Sequence, residues 1–350
     1  MRKISTSDNQ SNDPVAILNE HFSPVTAACF IVIDGKEFLV TGSLNGDVFV
    51  NDLNACRAVS KMIATHSNKV VSLQALSSNI YPFLSQGRDG IINIYKSISD
   101  KNLEPKFESF LLTNCSQFCL TPVALIDLVD SVLVALPISD AEHLVSVRYI
   151  NLESKASFES DAIHQQKSEK RNLVTSLKLS HSLFSNYLFV ADDASTLQCY
   201  ALSFDVETKG IVVKAIDFLH NIFDSEPINC IEFDLNKYEG VLGSSSDQLV
   251  IFKLTETNLI QTNSIKLANP GTSCIALRGD YKLCVASGWD HRIRIFKWPA
   301  MKPLKVLYFH NDTIDCITYS RKNLSEKHYF AVCCADGLVT IWDFYNYKVV

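Results

Sequence analysis

Apolar and polar residues alternate along most of this chain, in short runs separated by Gly, Asp, Asn, Ser or Pro. "GIINIYK" (Gly90–Lys96), "HRIRIFK" (His291–Lys297) and "LVTIWD" (Leu338–Asp343) show the pattern. A period of two puts successive side chains on opposite faces of an extended strand, so these runs predict short β-strands. The residues between them supply chain reversals.

The runs also recur. "GRDGIINIYK" (Gly87–Lys96), "GWDHRIRIFK" (Gly288–Lys297) and "CADGLVTIWD" (Cys334–Asp343) each set a small residue before an Asp and then an alternating strand. Asp89 lies six residues before Tyr95, as Asp290 does before Phe296 and Asp336 before Trp342. "SSSDQLVIFK" (Ser244–Lys253) is one residue short, "SLNGDVFVND" (Ser43–Asp52) has Asn45 for the Asp, and "ADDASTLQCY" (Ala191–Tyr200) has one residue more. Upstream of most copies a polar turn leads into a short apolar strand, as in "HFSPVTAACF", "HSNKVVSLQA" and "HNDTIDCITY". Further short strands such as "EFLVTG" and "PLKVLYF" complete four per unit. Four antiparallel strands every 43 to 46 residues fit the blade of a β-propeller.

A weaker copy around Asp130–Ile150 brings the count to seven, near positions 45, 89, 142, 193, 247, 290 and 336. The predicted architecture is all-β, a single seven-bladed propeller over 14–350. Its blades fall near 21–65, 66–112, 113–158, 172–222, 223–268, 269–309 and 310–345. Residues 1–13 read as a disordered tail and 159–171 as an inserted polar loop. The last blade lacks a fourth strand, and 14–20, with Val15–Leu18 at its centre, is the economical source of one. The tail "YNYKVV" is the competing source. Closing the ring removes an exposed sheet edge.

The repeated pattern resembles the WD40 repeat, although only Trp342–Asp343 spells the dipeptide. That resemblance implies that Asp89, Asp247, Asp290 and Asp336 clamp tight turns through hydrogen bonds to backbone, with His66 and His310 as their upstream partners. "SGWDH" (Ser287–His291), which sets a His beside an Asp, is then architecture and not an acid–base pair. His291 takes the place that Gly90 and Gly337 hold elsewhere, a solvent-facing turn position.

Composition narrows the function. Lys and Arg total 32 against 38 Asp and Glu, a formal charge of −6, which argues against broad nucleic-acid binding. No apolar signal segment opens the chain, and "ACFIVI" and "SVLVALPI" are too short to span a membrane. The eleven cysteines are therefore expected as reduced thiols, in cytoplasm or nucleus. No Gly-rich phosphate loop is present, and Gly243–Asp247 lacks the spacing of a nucleophile elbow. Cys115 and Cys119 have metal-like spacing without a second pair. No catalytic residue, cofactor or metal is expected.

A narrower resemblance rests on "SGWDHRIRIFKWPAMKPLKVLYFHNDTIDCI" (Ser287–Ile317), "LSQGRDGIINIY" (Leu84–Tyr95) and "ALPISDAEHLVSV" (Ala135–Val147). These stretches resemble one WD-repeat family, that of fungal ASTRA-associated protein 1 and an animal G-protein-β-subunit-like protein. The resemblance implies a non-enzymatic nuclear subunit of the ASTRA assembly, with the cytoplasm also open. ASTRA is linked to chromatin regulation and to chaperone-assisted maturation of phosphatidylinositol-3-kinase-related kinases. The implied partners are such a kinase and its co-chaperones, bound by one copy of this chain, with no nucleic acid and no membrane. The alternative is a G-protein-β-like or ubiquitin-ligase substrate-adaptor propeller. For a partner-binding patch, the turn in "FKWPAMKPLKVL" offers Lys297, Trp298, Met301 and Lys302, against the plainer reading that Trp298 packs on blade six.

Overall fold

The alternating runs pair into seven antiparallel sheets, meanders of successive strands except for the outer edges of blades three and seven. The structure is a computed structural model that describes residues 12–62, 65–98, 106–114, 124–128, 131–138, 141–154, 156–161, 163–164, 172–181, 185–205, 210–320 and 328–344. Blades one to six occupy 25–62, 70–114, 124–164, 174–219, 228–266 and 272–308. Blade seven takes three strands from 314–343 and its outermost from Ala16–Leu18.

That outer strand sets Ala16, Ile17 and Leu18 opposite Ile341, Thr340 and Val339. Val15 N donates to Ile341 O at 2.7 Å. The two ends of the described chain thus share one sheet, and the ring closes by hydrogen bonds between its first and last blades. The competing "YNYKVV" tail lies outside the described residues.

The first strand of each blade lines the axis, and these strands pack on one another, Ile314–Tyr319 on Val25–Ile33 included. Core side chains fill the seams between blades. Trp342, fully buried, stacks on Phe330 at 6.3 Å between ring centroids, and together they face Ile293 and Ile295 of blade six. Each such side chain contributes about 1.5–3 kcal/mol on burial, so no blade is stable without its neighbours.

Among the described residues, six first strands carry a β-bulge near their start, at Thr26, Val71, Thr175, Asn229, Ser273 and Asp315. A bulge aims its extra side chain away from the ladder. Four of these side chains donate to the carbonyl of the residue that opens the next blade: Thr26 to Val70, Thr175 to Ile228, Asn229 to Thr272 and Ser273 to Ile314. The inner rim is therefore laced by polar contacts as well as apolar ones.

Blade three departs from the expected loop at 159–171. Its outer strand is split: Ser157–Glu159 pairs with Arg148–Ile150, and Ile163–His164 pairs with Leu144–Val145. Ser160 bridges the break, its N–H donating to Val147 O at 2.9 Å and its Oγ accepting from Val147 N at 3.1 Å. The expected loop thus begins as strand, because the long strand Ala141–Asn151 offers backbone groups that need partners. Residues 165–171 and, of the expected tail 1–13, residues 1–11 lie outside the described part. The nine described cysteines are all free thiols.

Candidate functional site

The sequence pointed first to the turn aspartates. In blade two, His66 Nδ1–H donates to Asp89 Oδ1 at 3.1 Å, Ser85 Oγ–H to His66 Nε2 at 2.6 Å, and Tyr95 O–H to Ser85 Oγ at 2.9 Å. Asp89 also accepts from the backbone of Ser67 at 2.9 Å and Ile91 at 3.2 Å. Blade seven repeats the relay from a different strand. His310 donates to Asp336 at 2.9 Å, Thr340 to His310 Nε2 at 2.8 Å, and Trp342 Nε1–H to Thr340 at 2.8 Å. Burial holds both imidazoles below their usual 6.5 despite the carboxylates beside them, so the rings stay neutral. Gly87 is required here: a Cβ would lie 2.2 Å from His66 Nδ1.

Blades four and six reach the same end with other residues. Asn269 donates to Asp290 Oδ2 at 3.0 Å, and Asn172 to Asp192 Oδ2 at 3.0 Å. Asp290 is further gripped by both terminal nitrogens of Arg294 and accepts from Arg292 N at 3.3 Å. Although burial opposes it, these partners keep its carboxyl below the usual 3.8. His291 sits exposed with φ of 61°, the left-handed conformation that Gly90 and Gly337 share. The sequence reading missed Arg294 and the two asparagines.

Asp247 is a correction. Its carboxylate lies at the surface, 3.3 Å from Lys266 Nζ. Ser246 is the turn residue instead, its Oγ accepting from Gln248 N at 3.2 Å and bonding Ser244 Oγ at 2.7 Å. The six-residue step back from Phe252 lands on Ser246, so blade five replaces the Asp and lacks no residue.

Chemically these groups are occupied by structure. His310 Nδ1/Nε2, Cys334 Sγ and an Asp336 oxygen lie within 4.8 Å of one another, a set that could hold a metal ion. Each is engaged already, the thiol donating to Asp312 O at 3.2 Å. Burial pushes that thiol up to about 12, so it keeps its proton. Cys115 and Cys119 lie outside the described residues.

The proposed patch at Trp298 is a second correction. Lys297 and Lys302 are exposed, but Trp298 is 3% exposed and Met301 2%. Both pack with Val241, Leu249 and Ile251 of blade five and with Phe296 of their own blade. Trp298 Nε1–H donates to Asp234 Oδ2, also on blade five, at 2.9 Å. The turn folds inward across the seam and leaves no aromatic anchor at the surface.

Exposed large apolar side chains occur on several blades, and three of them lie at the end of the ring that carries the clamped turns. Phe22 is 99% exposed, Trp289 49% and Leu44 43%. Phe22 follows His21, whose Nε2 accepts from Thr41 Oγ1 at 2.7 Å, so its backbone is anchored while its ring is bare. Leu44 N donates to Pro24 O at 2.9 Å, tying the second anchor to the same segment. Trp289 lies over Gly271, where a Cβ would meet its ring at 2.1 Å. These three belong to blades six, seven and one, which are adjacent through the closure. A large apolar side chain directly after the upstream His of blade one was the available signal for Phe22.

A family model described as "WD domain, G-beta repeat" matches residues 301–343, the outer strand of blade six and the three strands that follow. That stretch carries a WD40 repeat, and the seven blades closed into a ring make the fold a seven-bladed β-propeller. The chain is similar to "Guanine nucleotide-binding protein subunit beta-like protein 1" of Mus musculus, 26% identical over 336 residues, which are 94% of this chain and 93% of that protein. It is also similar to "ASTRA-associated protein 1" of Schizosaccharomyces japonicus, 26% identical over 122 residues, or 34% of this chain and 32% of that protein. The protein of the same name from Schizosaccharomyces pombe is 28% identical over 80 residues, covering 23% and 21%.

Proposed function

We propose that this propeller is a non-enzymatic scaffold subunit of an ASTRA-type assembly, acting in the nucleus. In this reading it helps bring phosphatidylinositol-3-kinase-related kinases to maturity with their co-chaperones and contributes to chromatin regulation. Its contact surface is the end of the ring bearing Phe22, Leu44 and Trp289. The observation that carries the scaffold role is Phe22, 99% exposed on an anchored backbone. A bare aromatic ring on a rigid support loses little freedom on binding and gains much area, the properties of an interface anchor. Support for the particular assembly is the likeness to two proteins named ASTRA-associated protein 1.

Affinity purification of the tagged full chain from its own cells, followed by mass spectrometry, tests the reading. Enrichment of a kinase of that class with co-chaperones supports it, and loss of that enrichment in Phe22→Ser places the contact. A stable partner set without any such kinase overturns it. Imaging of a fluorescent fusion tests the nuclear placement.

A further inference from the structure

Charge is distributed unequally between the two ends of the ring. Strand alternation assigns every connection to one end or the other, with the broken outer strand of blade three counted as one strand. Among the described residues, the connections at the Phe22 end carry ten carboxylates, with Asp224, Glu226 and Asp312 exposed. They carry two bases, Lys69 and Arg88. The connections at the other end carry four carboxylates and four bases. Among them Asp290 pairs with Arg294 and Asp247 with Lys266. Lys69, one of the two bases, lies 3.9 Å from Asp315. Carboxylates therefore outnumber bases among the described connections at this end and equal them at the other.

The apolar anchors sit within that field. Glu20 is two residues before Phe22, Asp47 three after Leu44, and Asp312 opens blade seven between Trp289 and Phe22. We infer that this face docks a basic polypeptide segment, one rich in Lys and Arg that also carries apolar side chains for Phe22, Leu44 and Trp289. The inference rests on the binding face proposed above and names the chemistry of its partner. Apolar burial supplies contact area, while the surrounding carboxylates select a cationic segment and speed its approach. They repel nucleic acid and acidic peptides alike.

The test uses the intact chain and a fluorescein-labelled synthetic peptide of Lys and Arg with one Leu and one Phe. Its counterparts replace every Lys and Arg by Glu, or the Leu and Phe by Ser. We expect the basic apolar peptide alone to bind, and binding to weaken about tenfold in Glu20→Lys/Glu226→Lys/Asp312→Lys. Raising the ionic strength from about 0.1 M to 1 M shortens the screening length from about 10 to 3 Å and should weaken it similarly. Asp34→Lys/Glu153→Lys/Glu256→Lys, at the other end, should bind as wild type does. Unchanged melting temperatures confirm that both variants fold. Equal binding of the Glu peptide, or equal loss in both triple variants, overturns the inference. If Phe22→Ser abolishes kinase recovery from cells while the first triple variant retains it, the docking face stands and its basic partner does not.

Discussion

The indole of Trp298 in blade six donates to the carboxylate of Asp234 in blade five at 2.9 Å, with both side chains out of solvent. Asp234 Oδ1 also accepts from Asn236 N at 2.9 Å, so one carboxylate ties its own turn to the neighbouring blade. A buried carboxylate is tolerated only while its oxygens have donors. Trp298→Phe keeps most of the apolar area and removes one donor. It should cost about 1–3 kcal/mol, read as a lower denaturant midpoint at constant slope. An unchanged midpoint would show that the bond carries no stability.

The closing strand makes a second prediction. Leu18 is 3% exposed and packs with Val339 and Ile341, and the strand adds ladder bonds to Ile341. Removing residues 1–20 deletes all of this, whereas removing 1–12 spares it. Burial of Leu18 is worth about 1.5–3 kcal/mol, and each lost ladder bond about another 1 kcal/mol. The longer truncation should therefore melt well below the shorter one and associate through its bared edge. Identical melts would mean that another segment closes the ring.

Seven blades were legible because alternation and the Asp-to-aromatic step are local properties of the chain. His66 with Asp89 and His310 with Asp336 were legible for the same reason. Asn172 and Asn269 were not, since an amide N–H can replace an imidazole N–H with no trace in the letter pattern. Asp247 misled because an acidic residue follows the turn position that Ser246 holds. Trp298 misled because alternation assigns a face but does not reveal that blade five covers the turn. The charged face was hidden for a related reason: it exists only once the ends of many strands meet.

The clamp histidines make stability depend on pH. Their folded values lie below the 6.5 of the free side chain, mainly through burial. Below about pH 6.5 the unfolded chain binds protons that the folded one refuses, so stability falls as pH drops towards the folded values. Asp290 and Asp336 are depressed below 3.8 by their partners despite burial, so their contribution survives to that pH and is lost on further acidification. Replacing both His66 and His310 by Gln should lower stability at pH 7 but flatten its slope between about pH 6.5 and 5. Unfolding free energies across that range decide it, and an unaltered slope would assign the dependence to other groups.

Asp315 marks the seam where the ring closes and breaks the pattern of the inner rim. Where Thr26, Thr175, Asn229 and Ser273 donate to a carbonyl of the neighbouring blade, blade seven offers a carboxylate, which has no proton to donate when ionised. Burial pushes its value above 3.8, Lys69 at 3.9 Å pulls it back, and Asp312 pushes it up again. A raised folded value means that the folded state holds the proton more tightly. The group therefore stabilises at low pH and costs stability as pH rises past 3.8. Asp315→Thr supplies the missing donor toward Val25, the carbonyl that opens blade one, and gives up a partly exposed ion pair worth about 0–1 kcal/mol. The variant should be more stable at pH 7 by about 0.5–1.5 kcal/mol, and the gain should shrink below about pH 3.8, where the wild-type carboxyl is protonated. Paired melts at the two pH values check this. A variant less stable at pH 7 would show that the bond to Lys69 holds the seam and that the carboxylate is its proper occupant.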